Sequence, residues 1–376
     1  MVNTQPKFDV EFKELAVMSI QRQKYGELVM ILDDSTNTSL DKVTYRTLAE
    51  VNENDYTEDN YRRIQLAFMG NPYKVSVVKL AVEEGATFND TLSKLASYTN
   101  YKLVFPEATA SNVTAMKNYA NTCREANNYI TVLVANATSP DAQYVINFVS
   151  SDNIKVNITG EVEQITPADY VCRIGGALCG LAPSRSLTYY ELPEIVEAPI
   201  EANTDTAVSQ GKLVILYQDG SYKLGRAVNS LVTLTDGVTE AFQKIRIVDI
   251  MDMIANDIIA TFRLYYVGKY VNNFTNKNRF AGAINSYLSG LVREGLLDGF
   301  DEKGQIDPSK NKVVISYDKN KAYLEDKGVD TSDMTHTDII RANTGSRVLL
   351  DGVCSPTDTM EDLDIGMYLY QALQAE

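Results

Sequence analysis

The 376-residue chain has no tryptophan, one histidine and four cysteines, and each scarcity closes off a class of chemistry. A Ser-His-Asp or Cys-His site needs an imidazole oriented by a carboxylate or amide. Only His336 is available, within DMTHTDII, at the start of a short expected helix between Asp333 and Asp338. A histidine so placed reads as a surface residue beside a helix N-cap, not as a base. Cys123, Cys172, Cys179 and Cys354 show no C-x-x-C spacing, so neither a metal cluster nor a disulfide framework is expected. The first three fall on apolar positions of expected helices, where a free thiol packs as a small hydrophobe. No G-x-S-x-G elbow, H-E-x-x-H, Walker loop or G-x-G-x-x-G occurs. No catalytic, cofactor-binding or metal-binding residue is therefore expected, and no enzyme activity.

Basic clusters and long apolar runs are missing as well. Lys and Arg number 35 against 50 Asp and Glu, a net charge of −15, with no basic block or basic helix. Nucleic acid, whose phosphates need clustered positive charge, is not an expected partner. The longest apolar runs are strand-sized, as at Val75 to Val78, so no membrane insertion is expected. The opening MVNTQPKFDVEFKEL has no apolar h-region, which leads to the expectation of synthesis in a cytoplasm.

What is present is an ordinary supply of core material, 44% hydrophobic residues, in a length that fits two or three domains. GELVMIL, YKVSVVKL, YKLVFP and YITVLVA read as strands of near-continuous apolar character, as expected when helices cover both faces of a sheet. Between them the period changes to that of helices, expected over Glu58–Met69 (closed by Gly70), Phe88–Tyr98 and Val113–Ala126. Thr87 and Asp90 have capping-box spacing. This alternation predicts a parallel or mixed α/β sheet.

A fourth helix is expected over Pro167–Ala182, PADYVCRIGGALCGLA. Its glycines lack the spacing of a phosphate loop and read instead as small residues that let two helices approach closely. After a proline-marked connector, Asp219-Gly220 signals a hairpin. Long helices follow at about Glu240–Val267 and Asn278–Leu297, then a strand in NKVVISYD, a short helix closed by Gly328, and a strand at Val348–Leu350. Asp249, Asp252 and Asp257 form an acidic helix face, expected to be solvated, because no His or Cys joins them as a metal ligand would.

Both ends alternate with period two. Phe8, Val10 and Phe12 oppose Asp9, Glu11 and Lys13; Leu363, Ile365, Met367 and Leu369 oppose Asp362, Asp364 and Tyr368. Terminal strands without an evident partner suggest strands given to another subunit's sheet. Burying the four C-terminal apolar residues is worth about 1.5–3 kcal/mol each. Ordering the arm costs roughly 1–2 kcal/mol per residue, so one arm is marginal. Many arms acting together in an array are strong.

The chain resembles the contractile tail sheath proteins of myophages, nearest to the compact sheaths of defective prophages and of clostridial R-type bacteriocins (diffocins). The resemblance rests on six blocks in order: FKELAVMSIQR, SRSLTYYEL, GKLVILYQDGSYKLGRAVNSLVTLT, FQKIRIVDIMDMIANDI, YLEDKGVDTSDMT and ANTGSRVLLDGVCSPTDTMEDLDI. It implies a subtilisin-like α/β domain without catalytic residues, a C-terminal α+β sheath domain, and N- and C-terminal strand arms exchanged between subunits. The implied division is an N-terminal arm (1–20), an α/β sheath domain (21–183), a C-terminal sheath domain (184–345), and C-terminal strands and arm (346–376). The arm residues are then Phe8, Val10, Phe12, Leu363, Ile365, Met367 and Leu369.

The implied function is a structural subunit that polymerises as stacked hexameric rings around a tail tube and contracts to drive the tube through a bacterial envelope. Implied partners are other copies of the chain, the tube protein, and baseplate and tail terminator proteins. The particle is expected to assemble in a bacterial cytoplasm and to act outside it. Lys244 and Arg246 match the family's tube-facing helix. A non-contractile tube or shell subunit, or a degenerate α/β hydrolase-like enzyme, are the alternatives.

Overall fold

A computed structural model describes residues 20, 26–81 and 85–367. Phe8, Val10, Phe12 and Leu369 lie outside the described residues. The described chain forms two compact units. The larger one holds residues of 26–125, 130–249 and 358–367, and the smaller one 126–129 and 250–357.

In the larger unit the order begins β1 (Glu27–Leu32), β2 (Lys42–Tyr45), α1 (Glu58–Phe68), β3 (Lys74–Lys79), α2 (Phe88–Ser93) and β4 (Tyr101–Val104). It continues with α3 (Ala110–Glu125), β5 (Thr131–Ala135), β6 (Val145–Phe148), β7 (Ile154–Ile158), β8 (Glu161–Ile165) and α4 (Pro167–Gly180). Last come β9 (Ile195–Glu197), α5 (Thr204–Ser209), β10 (Lys212–Leu213), β11 (Ile215–Gln218) and β12 (Ser221–Leu224). Seven strands form one sheet in the order β10-β6-β5-β4-β1-β3-β2. Every neighbouring pair is parallel except β2 with β3.

The apolar runs are continuous because helices lie on both faces of this sheet. Leu28, Met30 and Leu32 of β1 join a core with Ile64 and Ala67 of α1 and Ile174 of α4. Val29 and Ile31, pointing the other way, join Leu92 of α2 and Met116 and Ala120 of α3. The expected capping box of α2 is formed, with the Thr87 amide donating to Asp90 Oδ2 at 2.7 Å.

The glycines of α4 do pack helix on helix. A Cβ at Gly176 would stand 1.9 Å from the Ala67 carbonyl oxygen, and one at Gly180 would stand 1.9 Å from that of Gly70. The expectation for Gly70 needs correction on its reason. The left-handed residue after α1 is Asn71, at φ 55°; Gly70 is small because Gly176 lies against it. Asp219 and Gly220 take φ 54° and 78° between β11 and β12, the turn that their dipeptide predicts.

In the smaller unit, α6 (Ile245–Thr261), whose first turn belongs to the larger unit, passes into a π turn at Phe262–Tyr266. There follow α7 (Phe274–Arg293), β13 (Lys312–Ile315), α8 (Tyr317–Asp326), α9 (His336–Arg341) and β14 (Leu350–Val353), which pairs antiparallel with β13. Helix α7 starts four residues before the expected Asn278, because Asn273 caps it by accepting from the Asn276 amide at 2.9 Å.

The acidic face of α6 is not solvated, contrary to expectation. Asp252 is 2% exposed and Asp257 fully buried, with Tyr287 Oη donating to the Asp257 carboxylate at 2.7 Å. The described part of the C-terminal segment, 358–367, joins no ladder within the subunit.

Candidate functional site

His336 opens α9, is exposed, and stacks on Tyr317 with ring centroids 4.8 Å apart and planes 3° from parallel. The nearby Asp338 carboxylate is spent on the helix cap, accepting from the Thr335 amide at 3.0 Å. The buried thiols of Cys172 and Cys179 are pushed well above their ordinary pKa by burial, which keeps them protonated and inert. Among the described residues no group of three or more His, Cys, Asp or Glu could hold a metal ion, and no helix is long and apolar enough to cross a membrane.

The feature that stands out is the C-terminal segment. Met360, Leu363, Ile365 and Met367 are 104, 84, 62 and 89% exposed, four apolar side chains set in water within eight residues. Apolar surface concentrated in this way marks an interaction site.

One side chain of the segment behaves differently. The Glu361 carboxylate is 6% exposed and sits among groups from separate parts of the larger unit. Lys244 Nζ donates to its Oε2, and Arg226 Nε lies 3.4 Å from the same oxygen. Thr188 Oγ1 donates to Oε1 at 2.7 Å, and itself accepts from the Ala227 amide at 3.0 Å. Flanking pairs reinforce the contact, with Lys244 3.2 Å from Asp358 and Arg226 2.5 Å from Asp362. A cavity of about 420 Å³, lined by Tyr189, Val208 and Leu216 among others, opens beside Glu361 and Asp362.

Lys244 and Arg246, singled out from the sequence, lie on this side of the chain's architecture but in different states. Lys244 is the extended residue (φ −81°, ψ 121°) between a 3-10 turn at Glu240–Gln243 and the start of α6, and its ammonium faces Glu361 and Asp358. Arg246, two residues on and the second residue of α6, is buried. Burial lowers its pKa, and Asp358 acts in the opposite direction. Thr188, Arg226 and Glu361 went unnoticed in the sequence. Glu361 shares its odd-numbered register with Leu363, Ile365 and Met367, yet its carboxylate alone lies out of water, so the alternation gives no signal for it.

Residues 238–368 match the family model for the phage tail sheath C-terminal domain. The tail sheath protein of Clostridium phage phiCD119 is 32% identical over 372 residues, covering 95% of this chain and 97% of that protein. Among solved structures, the sheath tail protein of Desulfitobacterium hafniense superposes with a TM-score of 0.66 at 15% identity, over 83% of this chain and 93% of that one. The helical sheath of the anti-feeding prophage in its contracted state superposes with a TM-score of 0.67 at 14% identity, over 98% and 99% of the two chains. The mixed α/β fold with its parallel-dominated sheet is thus a sheath fold. The chain belongs to the phage tail sheath protein family: it is a structural subunit of a contractile tail sheath, a component of a phage-type tail, and not an enzyme.

Proposed function

We propose that the subunit polymerises as stacked hexameric rings around a tail tube, and that the sheath contracts to drive the tube through a bacterial envelope. In this reading the C-terminal segment is an arm whose apolar row enters a neighbouring subunit's sheet, and the N-terminal residues around Phe8, Val10 and Phe12 form a second arm. The observation that carries it is the exposure of Leu363, Ile365 and Met367 on a segment that joins no ladder within its own subunit. Main-chain pairing would satisfy its backbone and bury the row at once.

The larger unit is read as a subtilisin-like domain without protease residues, supported by its parallel-dominated sheet with crossovers to either side of β1. Of the two proposed tube contacts, Lys244 keeps part of its side chain exposed, and its three-donor ammonium can serve a third acceptor besides Glu361 and Asp358. Assembly would take place in the host cytoplasm with tube, baseplate and terminator proteins, and the finished particle would act outside the cell. Electron microscopy of the purified chain tests the reading. Tubes or rings are expected, with two helical lattices for the extended and contracted forms. A strictly monomeric species at high concentration would contradict it.

A further inference from the structure

Of the ten residues from Asp358 to Met367, Glu361 alone inserts its charge into the body of the larger unit. The contrast with its neighbours is sharp: Glu361 is 6% exposed and Asp362 80%. Three groups far apart in sequence converge on it. Thr188 comes from the loop after α4, Arg226 follows β12, and Lys244 precedes α6. The receptor is itself held in place, since Thr188 Oγ1 is tied to the Ala227 amide. Ion pairs on a surface contribute little, because water screens them and long side chains lose freedom. A carboxylate that is out of water and shared by two cations and a hydroxyl differs, because its loss strands the cations against each other.

We infer that Thr188, Arg226 and Lys244 form a carboxylate receptor that pins the C-terminal segment, through Glu361, to the subunit that carries it. The pin divides the segment into two parts with different roles. Residues up to Asp362 stay on their own subunit, and the apolar row from Leu363 onward projects from a fixed root. A fixed root limits the directions the row can take, so the arm meets a partner with less conformational entropy to lose. It also carries load: a pull on the outer residues reaches the larger unit through an ion cluster, not through a free chain. The role of the outer residues as a donated strand rests on the proposed function; the pin itself does not.

The pin is tested in the soluble full-length chain, before any assembly. Spin labels are placed at Ser209→Cys in α5 and Leu363→Cys in the segment, with Cys123→Ser and Cys354→Ser removing the accessible thiols. The distance distribution between the labels is then measured by double electron–electron resonance. One narrow distribution is expected for the otherwise unchanged chain, and it widens about twofold in Glu361→Gln and in Lys244→Gln as the segment is released. Asp364→Asn, on an exposed acid of the same segment, leaves it unchanged. Circular dichroism confirms that each variant is folded. An equally narrow distribution in Glu361→Gln, or an equally wide one in the starting chain, overturns the pin. Sheath formation by these variants is scored separately, so a failure of strand donation cannot be mistaken for a failure of the pin.

Discussion

Gly176 lies so close to Ala67 that a Cβ on the glycine would stand 1.9 Å from the alanine's carbonyl oxygen. The obstacle is backbone on an adjacent helix, which no rotamer change relieves. Gly176→Ala is therefore expected to force α1 and α4 apart and to destabilise the larger unit by about 3 kcal/mol, at the upper end of the range for overpacking. Urea denaturation checks this, with Gly282→Ala, where a Cβ meets open space, as the control.

Arg173 and Glu194 form a pair whose side chains are each 4% exposed, with Nε 2.7 Å from Oε1 and Tyr170 Oη donating to the same oxygen at 2.7 Å. Removing one partner leaves the other charge buried. Arg173→Met is expected to cost about 3–5 kcal/mol, and the double variant Arg173→Met with Glu194→Leu clearly less. A double-mutant cycle in denaturant gives the answer; a double variant that costs the sum of the two single losses would contradict the coupling.

Asp249 reads as one of three solvated acids, yet its carboxylate meets Lys102 Nζ, a lysine of β4 that also donates to Thr131 Oγ1 at 3.0 Å. The lysine side chain is 7% exposed. Asp249→Asn should behave as a folding variant, lowering stability by roughly 3 kcal/mol without touching any chemistry. Thermal melting measures the loss.

Asp34 supplies the pH dependence. Burial acts to raise its pKa, but the amides of Thr57 and Thr36, the Asn60 side chain and the Lys79 ammonium outweigh it and hold the group at about 2, below its ordinary 3.8. The sign follows: a depressed folded-state pKa adds stability above the unfolded value, and that stability is lost as pH falls through the folded one. The stability difference between the wild-type chain and Asp34→Asn should be level from neutral pH down to about 4 and then shrink toward pH 2. A difference that stays constant over that interval would contradict the assignment.

The parallel strands were legible because burial on both faces leaves β1 and β3 to β5 no polar alternation to hide behind. Strand β2, KVTY, was missed because it is a short polar edge whose identity comes from pairing with Val75–Val78. The β7–β8 hairpin was missed because its turn is Thr159-Gly160, at φ 54° and 97°, in place of the usual Asn-Gly. Local composition misled at Asp252 and Asp257, since an acid on a helix looks solvated until a distant residue such as Tyr287 arrives to meet it. The Glu361 receptor failed for the same reason on a larger scale: Lys244 lies 117 positions away and Thr188 173. Periodicity reports which face a residue occupies, and not which remote charge waits there.

Tracing the C-terminal segment in a cryo-electron-microscopy map of the assembled sheath tests the central claim most directly. Leu363, Ile365 and Met367 should lie within a neighbouring subunit's sheet, with Glu361 still on Lys244 and Arg226 of its own chain. A map in which the apolar row folds back onto its own subunit, with no chain crossing between copies, would contradict strand donation as the bond that holds this sheath together.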